Sequence, residues 1–119
     1  MALQHFSPDT DPTVVGSFLR DHGYAIVDDV LDAATMAQLD AEAAPWIDGS
    51  AAGRDAYDGR HTRRTGMLIA RCPTSRALVA HPLAVGVAKH LLAQATTIQL
   101  HLTQIISIAP GETAQKLHC

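Results

Sequence analysis

The stretch TIQLHLTQIISIAPGETAQKLH, residues 97–118, decides the fold that the sequence predicts. From residue 97 to residue 109 apolar and polar residues alternate, and successive side chains of a β-strand point to opposite faces. The even positions are almost all apolar: Ile98, Leu100, Leu102, Gln104, Ile106 and Ile108. The sequence therefore predicts a strand over Thr97–Ala109 whose even face packs on helices, and Pro110 and Gly111 turn the chain out of it.

The odd face of this predicted strand is polar but carries no charge. Its polar members are Gln99, His101, Thr103 and Ser107. Lys and Glu would be expected on a face turned to water, whereas amide, imidazole and hydroxyl groups can hydrogen-bond in a partly buried pocket. The pattern favours a pocket on the odd face, with an ordinary half-exposed strand as the alternative.

Composition limits the class of protein. A chain of 119 residues fits one domain, and 47% hydrophobic residues are enough for a core. Nine basic against twelve acidic side chains give a net charge of −3, which argues against a nucleic-acid binder. Two cysteines are too few for a disulfide framework and suit a reducing cytoplasm. There is neither an apolar run of about 18 residues nor a signal-peptide pattern, so we expect a cytoplasmic protein without a membrane partner.

The first third of the chain predicts two helices and a short strand between them. Asp11 can cap a helix that Pro12 begins and that Gly23 ends. Tyr24–Val27 is rich in strand-forming residues, and Asp32 can cap the second helix.

The middle third predicts a loop followed by a strand and further helices. Residues 48–66 contain four glycines and little periodicity, and six of the nine basic residues lie between Arg54 and Arg76. This charge cluster indicates a solvated loop or, alternatively, a mobile segment that receives an anionic substrate. GMLIAR, residues 66–71, predicts a short strand, and helices are expected on both sides of His81 and Pro82.

Several segments together resemble the phytanoyl-CoA dioxygenase family. They are GYAIVDDVLD (23–32), TRRTGMLIARCP (62–73), HPL (81–83) and LHLTQIISIAPGETAQKLH (100–118). Members of this family are Fe(II)- and 2-oxoglutarate-dependent oxygenases with a double-stranded β-helix (jelly-roll) core. The resemblance implies an α+β chain in one incomplete domain, with a helical and short-strand region over 1–96 and the first core strands of the jelly roll over 97–119.

The resemblance also implies a metal ligand near the end of the sequence. In the family, the stretch that matches PGETAQKLH leads into His-x-Asp, the first two ligands of the iron. His118 would be the histidine and Cys119 the intervening residue; the aspartate, the second histidine and the arginine that binds 2-oxoglutarate would follow. The candidates for binding the co-substrate are Gln99, His101 and Thr103 on the polar face and Met67 on the earlier predicted strand. Arg63, Arg64 and Arg71 would favour an anionic substrate; the alternatives for each are a solvated face or a structural pair.

Two functions follow as expectations. The first is an N-terminal fragment of a non-haem Fe(II) and 2-oxoglutarate dioxygenase, a hydroxylase that is not competent by itself. Its partners would be 2-oxoglutarate, dioxygen and a small-molecule substrate, without nucleic acid or membrane, and the open sheet edge would permit self-association. The second is a self-contained α+β ligand-binding or interaction module without redox chemistry.

Overall fold

Within residues 3–114 the chain forms five helices and four short strands. The computed structural model describes residues 3–114, so His118 and Cys119 lie outside the described residues. Its elements in chain order are β1 (His5–Phe6), α1 (Pro12–His22), β2 (Ile26–Val27), α2 (Ala33–Asp48), β3 (Thr62–Gly66), α3 (Leu68–Arg71), α4 (Ser75–Val79), α5 (Pro82–Leu91) and β4 (Gln104–Ile108).

Helix α1 has the caps that its sequence predicts. The Asp11 carboxylate accepts a hydrogen bond from the Thr13 backbone N–H at 2.7 Å, and Pro12 occupies the first turn. At the other end, Gly23 adopts a left-handed φ of 80° and its N–H donates to the Leu19 carbonyl at 2.8 Å. Polar and backbone signals within a few residues therefore fix both ends of this helix.

The chain divides into two compact units, each built from two separate stretches. The first contains residues 3–36 and 76–99, and the second contains residues 37–75 and 100–114. Because each unit combines an early stretch with a late one, neither forms until distant parts of the chain meet.

Helices α1 and α5 form the centre of the first unit, and two glycines permit their close approach. A Cβ at Gly86 would lie 2.6 Å from Pro12 Cβ, and a Cβ at Gly16 would lie 2.7 Å from His90 Cδ2. Beside Gly16, the hydroxyl of Ser17 and His90 Nε2 lie 3.1 Å apart. At both glycines the backbone of one helix lies directly against a side chain of the other, so a larger residue at either position would not fit.

The first unit also holds a parallel pair of very short strands and an apolar cavity. His5 pairs with Ile26 and Phe6 with Val27 in the β1–β2 ladder. A cavity of about 380 Å³ is lined by aliphatic side chains of α1, β2, α4 and α5, with His81 at one side. Val15, which lines this cavity, is the most deeply buried valine of the unit at 3% exposure.

The second unit contains the antiparallel pair β3–β4. Thr62 lies opposite Ile108, and the register continues to Gly66 opposite Gln104. The strand predicted over 97–109 is therefore wrong in length, because only Gln104–Ile108 is a strand. The reason lies in the partner: β3 ends at Gly66, and the left-handed φ of 62° at Met67 turns the chain away. Within residues 3–114, the segment before residue 104 therefore has no strand to pair with.

Two further predictions in this region need correction. The strand predicted over GMLIAR is wrong, since Leu68–Arg71 is the short helix α3, closed by the Cys72 N–H donating to the Leu68 carbonyl at 2.7 Å. The strand lies one segment earlier, at Thr62–Gly66, inside the stretch predicted to be a loop. This arginine- and threonine-rich segment has only a weak local preference for a strand, and it forms one because it pairs with β4.

The prediction for the apolar face of β4 is also wrong. Ile106 and Ile108 are 52% and 66% exposed instead of packing on helices. On the opposite face the cover is local: Thr65, which lies across from Ile105, is 1% exposed and its hydroxyl lies 2.8 Å from that of Ser50, whereas Ser107 is exposed.

The fold class is mixed α+β, as predicted. The sheets within residues 3–114 each have two strands, so the described part of the chain contains no jelly roll. Within that part, no helix is both long enough and apolar enough to cross a membrane.

Candidate functional site

The residues predicted to bind the co-substrate lie in irregular segments. Gln99 and His101 are exposed, and neither is in a strand. Gln99 belongs to the first unit, whereas His101, Thr103 and Met67 belong to the second. Met67 is 65% exposed and precedes α3, so its predicted place on a strand is wrong.

Thr103 and the start of α3 are brought together by a hydrogen bond. The Leu68 backbone N–H donates to Thr103 Oγ1 at 3.1 Å, so this hydroxyl satisfies an otherwise unpaired amide of the helix's first turn. This gives Thr103 a structural role next to Met67. The co-substrate roles of Gln99, His101, Thr103 and Met67 stay predictions, and so does the iron role of His118, outside the described residues.

Glu112, in the turn after β4, has a carboxylate that accepts three hydrogen bonds. Glu112 Oε2 accepts from the His61 backbone N–H at 2.7 Å and from the Thr62 hydroxyl at 2.8 Å. Glu112 Oε1 accepts from the Thr113 N–H at 3.1 Å. The Thr62 hydrogen bond, followed by those from the His61 and Thr113 amides, lowers the pKa of this carboxyl. Glu112 thus ties the turn after β4 to the start of β3.

A glycine makes room for this carboxylate. Gly59 has a φ of +83°, and a Cβ there would lie 2.4 Å from Thr62 Oγ1 and 2.8 Å from Glu112 Oε2. Sequence reasoning missed the role of Glu112, although the sequence contains a signal in the glutamate of PGETAQKLH, the most specific part of the family resemblance. Nothing in the sequence indicates Gly59 and Thr62 as its neighbours.

A basic pocket lies beside Glu112 at the open end of the β3–β4 pair. Its volume is about 270 Å³, and its lining consists of Ala52, Arg60, His61, Arg63, Ser107 and Ala109. No carboxylate lines this pocket, but the guanidinium of Arg63 lies 3.7 Å from Asp48 Oδ1, an exposed pair that solvent screens. The arrangement suits a small anion, which would receive hydrogen bonds from guanidinium and hydroxyl groups.

All three arginines of the predicted anionic-substrate set have structural partners, and Arg63 donates to the Ile47 carbonyl at 3.5 Å. Arg64 donates to the Asp58 carbonyl. Arg71 donates to the Gly66 carbonyl at 3.1 Å, and its guanidinium lies 4.7 Å from the centre of the Trp46 ring. Of the three predicted arginines, Arg63 is the one that lines the pocket.

The described residues do not form an iron site. Within residues 3–114, no group of three His, Cys, Asp or Glu side chains is arranged to hold a metal ion. Iron in a two-histidine, one-carboxylate site needs three such donors on one face of the metal. The donor set of the described residues therefore does not fit iron.

These observations define a mixed α+β chain in which Glu112 anchors the segment that leads toward a predicted metal ligand. A family model described as phytanoyl-CoA dioxygenase (PhyH) matches residues 19–119. The chain belongs to this family of dioxygenases, which confirms the predicted resemblance. A search of curated proteins gives no match.

Proposed function

We propose that this chain is the N-terminal part of a non-haem Fe(II)- and 2-oxoglutarate-dependent dioxygenase and that His118 is an iron ligand. The observation that carries the proposal is the family match over residues 19–119, which includes the whole PGETAQKLH stretch. The complete domain would be the jelly roll of the family, with 97–119 supplying its first core strands. Its partners would be 2-oxoglutarate, dioxygen and a small-molecule substrate.

The anchoring of Glu112 supports this proposal. Three hydrogen bonds hold the carboxylate, and two of them reach back to His61 and Thr62 at the start of β3. The turn after β4 therefore leaves the sheet in a defined direction, six residues before His118. A metal ligand needs a fixed approach of this kind, because ordering a free segment on binding would cost conformational entropy.

The described residues do not form the iron site, so we expect this chain to lack activity by itself. When bound, Fe(II) and 2-oxoglutarate would supply the oxidising chemistry of a hydroxylation. One imidazole does not organise the metal, and the other ligands would come from residues outside this sequence. The part of the reaction that falls to the described residues is positioning and the recognition of anionic groups.

Succinate formation tests the proposal. We expect no succinate from this chain with Fe(II), ascorbate and 2-oxoglutarate, and we expect turnover or 2-oxoglutarate binding from a longer reading frame that adds the missing ligands. In the longer protein His118→Ala should abolish Fe(II) binding, whereas His22→Ala, at the exposed end of α1, should leave it unchanged. Succinate from the 119-residue chain would contradict its incompetence, and full Fe(II) binding by the His118→Ala variant would contradict the ligand role.

The basic pocket supports a second candidate function, a module that binds a small polar ligand without redox chemistry. Arg60, Arg63 and Ser107 line it, and none of them belongs to the predicted metal site. Calorimetry with 2-oxoglutarate or sulfate, each with Fe(II) and with a chelator, separates the two candidates. Binding that persists with the chelator and is lost in Arg60→Ala would favour the module; the control is Arg54→Ala, an exposed arginine of the same loop that does not line the pocket. Binding that appears only in the longer protein and requires Fe(II) would favour the oxygenase.

A further inference from the structure

The basic pocket lies on one face of the β3–β4 ladder, where small and cationic side chains alternate. Arg63 lies opposite Ser107, and the Ala109 N–H donates to the His61 carbonyl at 2.9 Å, so His61 and Ala109 continue the ladder by one more pair on the same face. All four residues line the pocket, together with Ala52 and Arg60. Because alanine and serine are short, they leave space in front of the sheet that the longer side chains surround.

Hydrogen-bond donors reach this space from three parts of the chain. Arg60 comes from the segment before β3, Arg63 from β3 itself and Ser107 from β4. A carboxylate presents two coplanar oxygens to a single guanidinium, whereas a phosphoryl group presents three oxygens in different directions. Phosphate also carries close to two negative charges at neutral pH, which two guanidinium groups balance. Among the described residues, no carboxylate lines the pocket.

We propose that this pocket binds a phosphate dianion, free or as the monoester of a small molecule, through Arg60, Arg63 and Ser107. The cavity of about 270 Å³ is slightly smaller than most small-molecule sites, so the ligand is small. The net charge of −3 disfavours nucleic acid as the source of the phosphate. The inference rests on the second candidate function above and deepens it by naming the chemistry of the ligand.

The wall of the pocket is held in place before a ligand arrives. The Glu112 carboxylate accepts from the His61 N–H at 2.7 Å and from the Thr62 hydroxyl at 2.8 Å. The His61 carbonyl in turn accepts from Ala109, so these backbone bonds fix the end of the ladder on which the pocket is built. A site that is already ordered loses less conformational entropy on binding.

Asp48 competes with the ligand for Arg63. Its Oδ1 lies 3.7 Å from the Arg63 guanidinium, and the two side chains are 83% and 45% exposed. An exposed pair of this length contributes little to stability, but its negative charge opposes an incoming anion. Removal of the Asp48 charge should therefore strengthen phosphate binding, whereas removal of the Arg63 or Arg60 guanidinium should weaken it. A structural disturbance of the pocket would not produce effects of opposite sign.

Titration of the 119-residue chain with inorganic phosphate tests the inference. At constant ionic strength and with a chelator present, the amide proton–nitrogen signals of Arg63, Ser107 and Ala109 should shift until saturation. The Kd should be roughly millimolar, because solvent weakens the contacts of exposed charges. The same spectra report whether each variant is folded.

The variants are paired with controls of the same charge change. Arg60→Ala should raise the Kd about tenfold, and Arg54→Ala, an exposed arginine outside the pocket lining, should not change it. Asp48→Asn should lower the Kd about two- to threefold, and Asp40→Asn, at another exposed position of α2, should not. An Arg60→Ala chain that binds like the wild type, or an Asp48→Asn chain that binds more weakly, would overturn the inference.

Other anions separate this inference from the function on which it rests. Glycerol phosphate that binds more tightly than inorganic phosphate would identify an ester as the ligand, and the reverse order would identify free phosphate. Acetate or 2-oxoglutarate that binds as tightly as phosphate would overturn the phosphate assignment and leave a general anion module. Binding of none of these anions would contradict both. Since the chelator removes iron throughout, none of these outcomes bears on the oxygenase proposal.

Discussion

The carboxylate of Glu112 accepts a hydrogen bond from the hydroxyl of Thr62, with 2.8 Å between Thr62 Oγ1 and Glu112 Oε2. Thr62 is 4% exposed and is the first residue of β3, and Glu112 follows β4, so the contact joins the two strands at the same end of the ladder, where Thr62 lies opposite Ile108. The neighbouring His61 amide binds the same oxygen at 2.7 Å. A buried hydroxyl and a strand-end amide thus share one carboxylate partner.

This relationship predicts a pH-dependent stability. The hydrogen bond from Thr62 lowers the pKa of Glu112 below its ordinary value of 4.5. A lowered pKa in the folded state means that the stabilisation is present above the unfolded pKa and is lost as the pH falls through the folded pKa. The free energy of unfolding should therefore fall below about pH 4.5, and Glu112→Gln should show a shallower fall over that range.

A second measurement separates Glu112 from the other carboxylates with lowered pKa values. The amide of His61 should exchange faster in Glu112→Gln at neutral pH, because its charged acceptor is lost. Asp32→Asn removes a helix-capping carboxylate of the first unit and should leave the His61 amide unchanged. Unchanged exchange at His61 in Glu112→Gln would contradict the role of this carboxylate.

The parts of the fold that sequence predicted correctly depend on nearby residues. Asp11, Pro12 and Gly23 specify α1 through contacts within a few positions, and the structure has each of these contacts. His81 before Pro82 is extended at φ −58° and ψ 131°, and its ring nitrogen accepts from the Leu83 amide at 3.3 Å. Such signals need no knowledge of the distant chain.

The parts that sequence did not predict depend on partners far along the chain. The strand Thr62–Gly66 exists because β4 pairs with it, and β4 stops at Gln104 because β3 stops at Gly66. The periodicity of residues 97–103 would fit a longer strand, but periodicity does not supply a partner. The left-handed conformation of Met67, which is unusual for a residue other than glycine, ends β3 and so limits the length of β4.

The sequence predicted the family of the protein but not the side-chain contacts of the candidate site. The PGETAQKLH stretch identified the family, which the match over residues 19–119 confirms. Glu112 and Thr62 are separated by 50 positions, so their hydrogen bond has no counterpart in sequence spacing. The same holds for the pocket that Arg60 and Ser107 share.

The contact between the buried hydroxyl of Thr65 and the half-buried hydroxyl of Ser50 gives a prediction for the second unit. Ser50 Oγ donates to the Trp46 carbonyl at 2.8 Å, so its proton is used and Thr65 must donate in the 2.8 Å contact between the two hydroxyls. Thr65→Val keeps the volume but removes this donor, which should lower the free energy of unfolding by about 1 kcal/mol. Thr65→Ser keeps the donor and removes only a methyl group. If urea denaturation showed the valine variant to be as stable as wild type, the hydrogen bond would contribute nothing net.

The contact between Gly86 and Pro12 gives a prediction for the first unit. A Cβ at residue 86 would lie 2.6 Å from Pro12 Cβ and 2.8 Å from its Cγ, and a proline ring has little freedom to move aside. Alanine favours a helix more than glycine does by roughly 1 kcal/mol, but the overlap should outweigh this gain. Gly86→Ala should lower the free energy of unfolding by about 1–2 kcal/mol.

The matched control for this substitution is Gly66→Ala. The nearest atom to a Cβ there is the Thr103 carbonyl oxygen at 3.9 Å, an ordinary contact, so its effect should stay within about 0.5 kcal/mol. Thermal and urea unfolding of both variants supply the comparison. A Gly86→Ala variant more stable than wild type would mean that α1 and α5 do not approach as closely as their glycines indicate.

The thiol of Cys72 should not react with thiol reagents while the chain is folded. The residue has 0% exposure, and burial, followed by the negative charge of Glu42, raises the pKa of the thiol above its ordinary value of 9.0. Both effects keep the sulfur protonated and out of contact with reagents, since the thiolate is the reactive form. In a Cys119→Ser variant, where Cys72 is the single thiol, labelling by an aromatic disulfide reagent at pH 8 should follow the rate of unfolding. The labelling rate should rise with urea concentration in parallel with the loss of structure. Labelling of Cys72 in native buffer at the rate of a free cysteine would show that the second unit opens far more often than the burial of Cys72 implies.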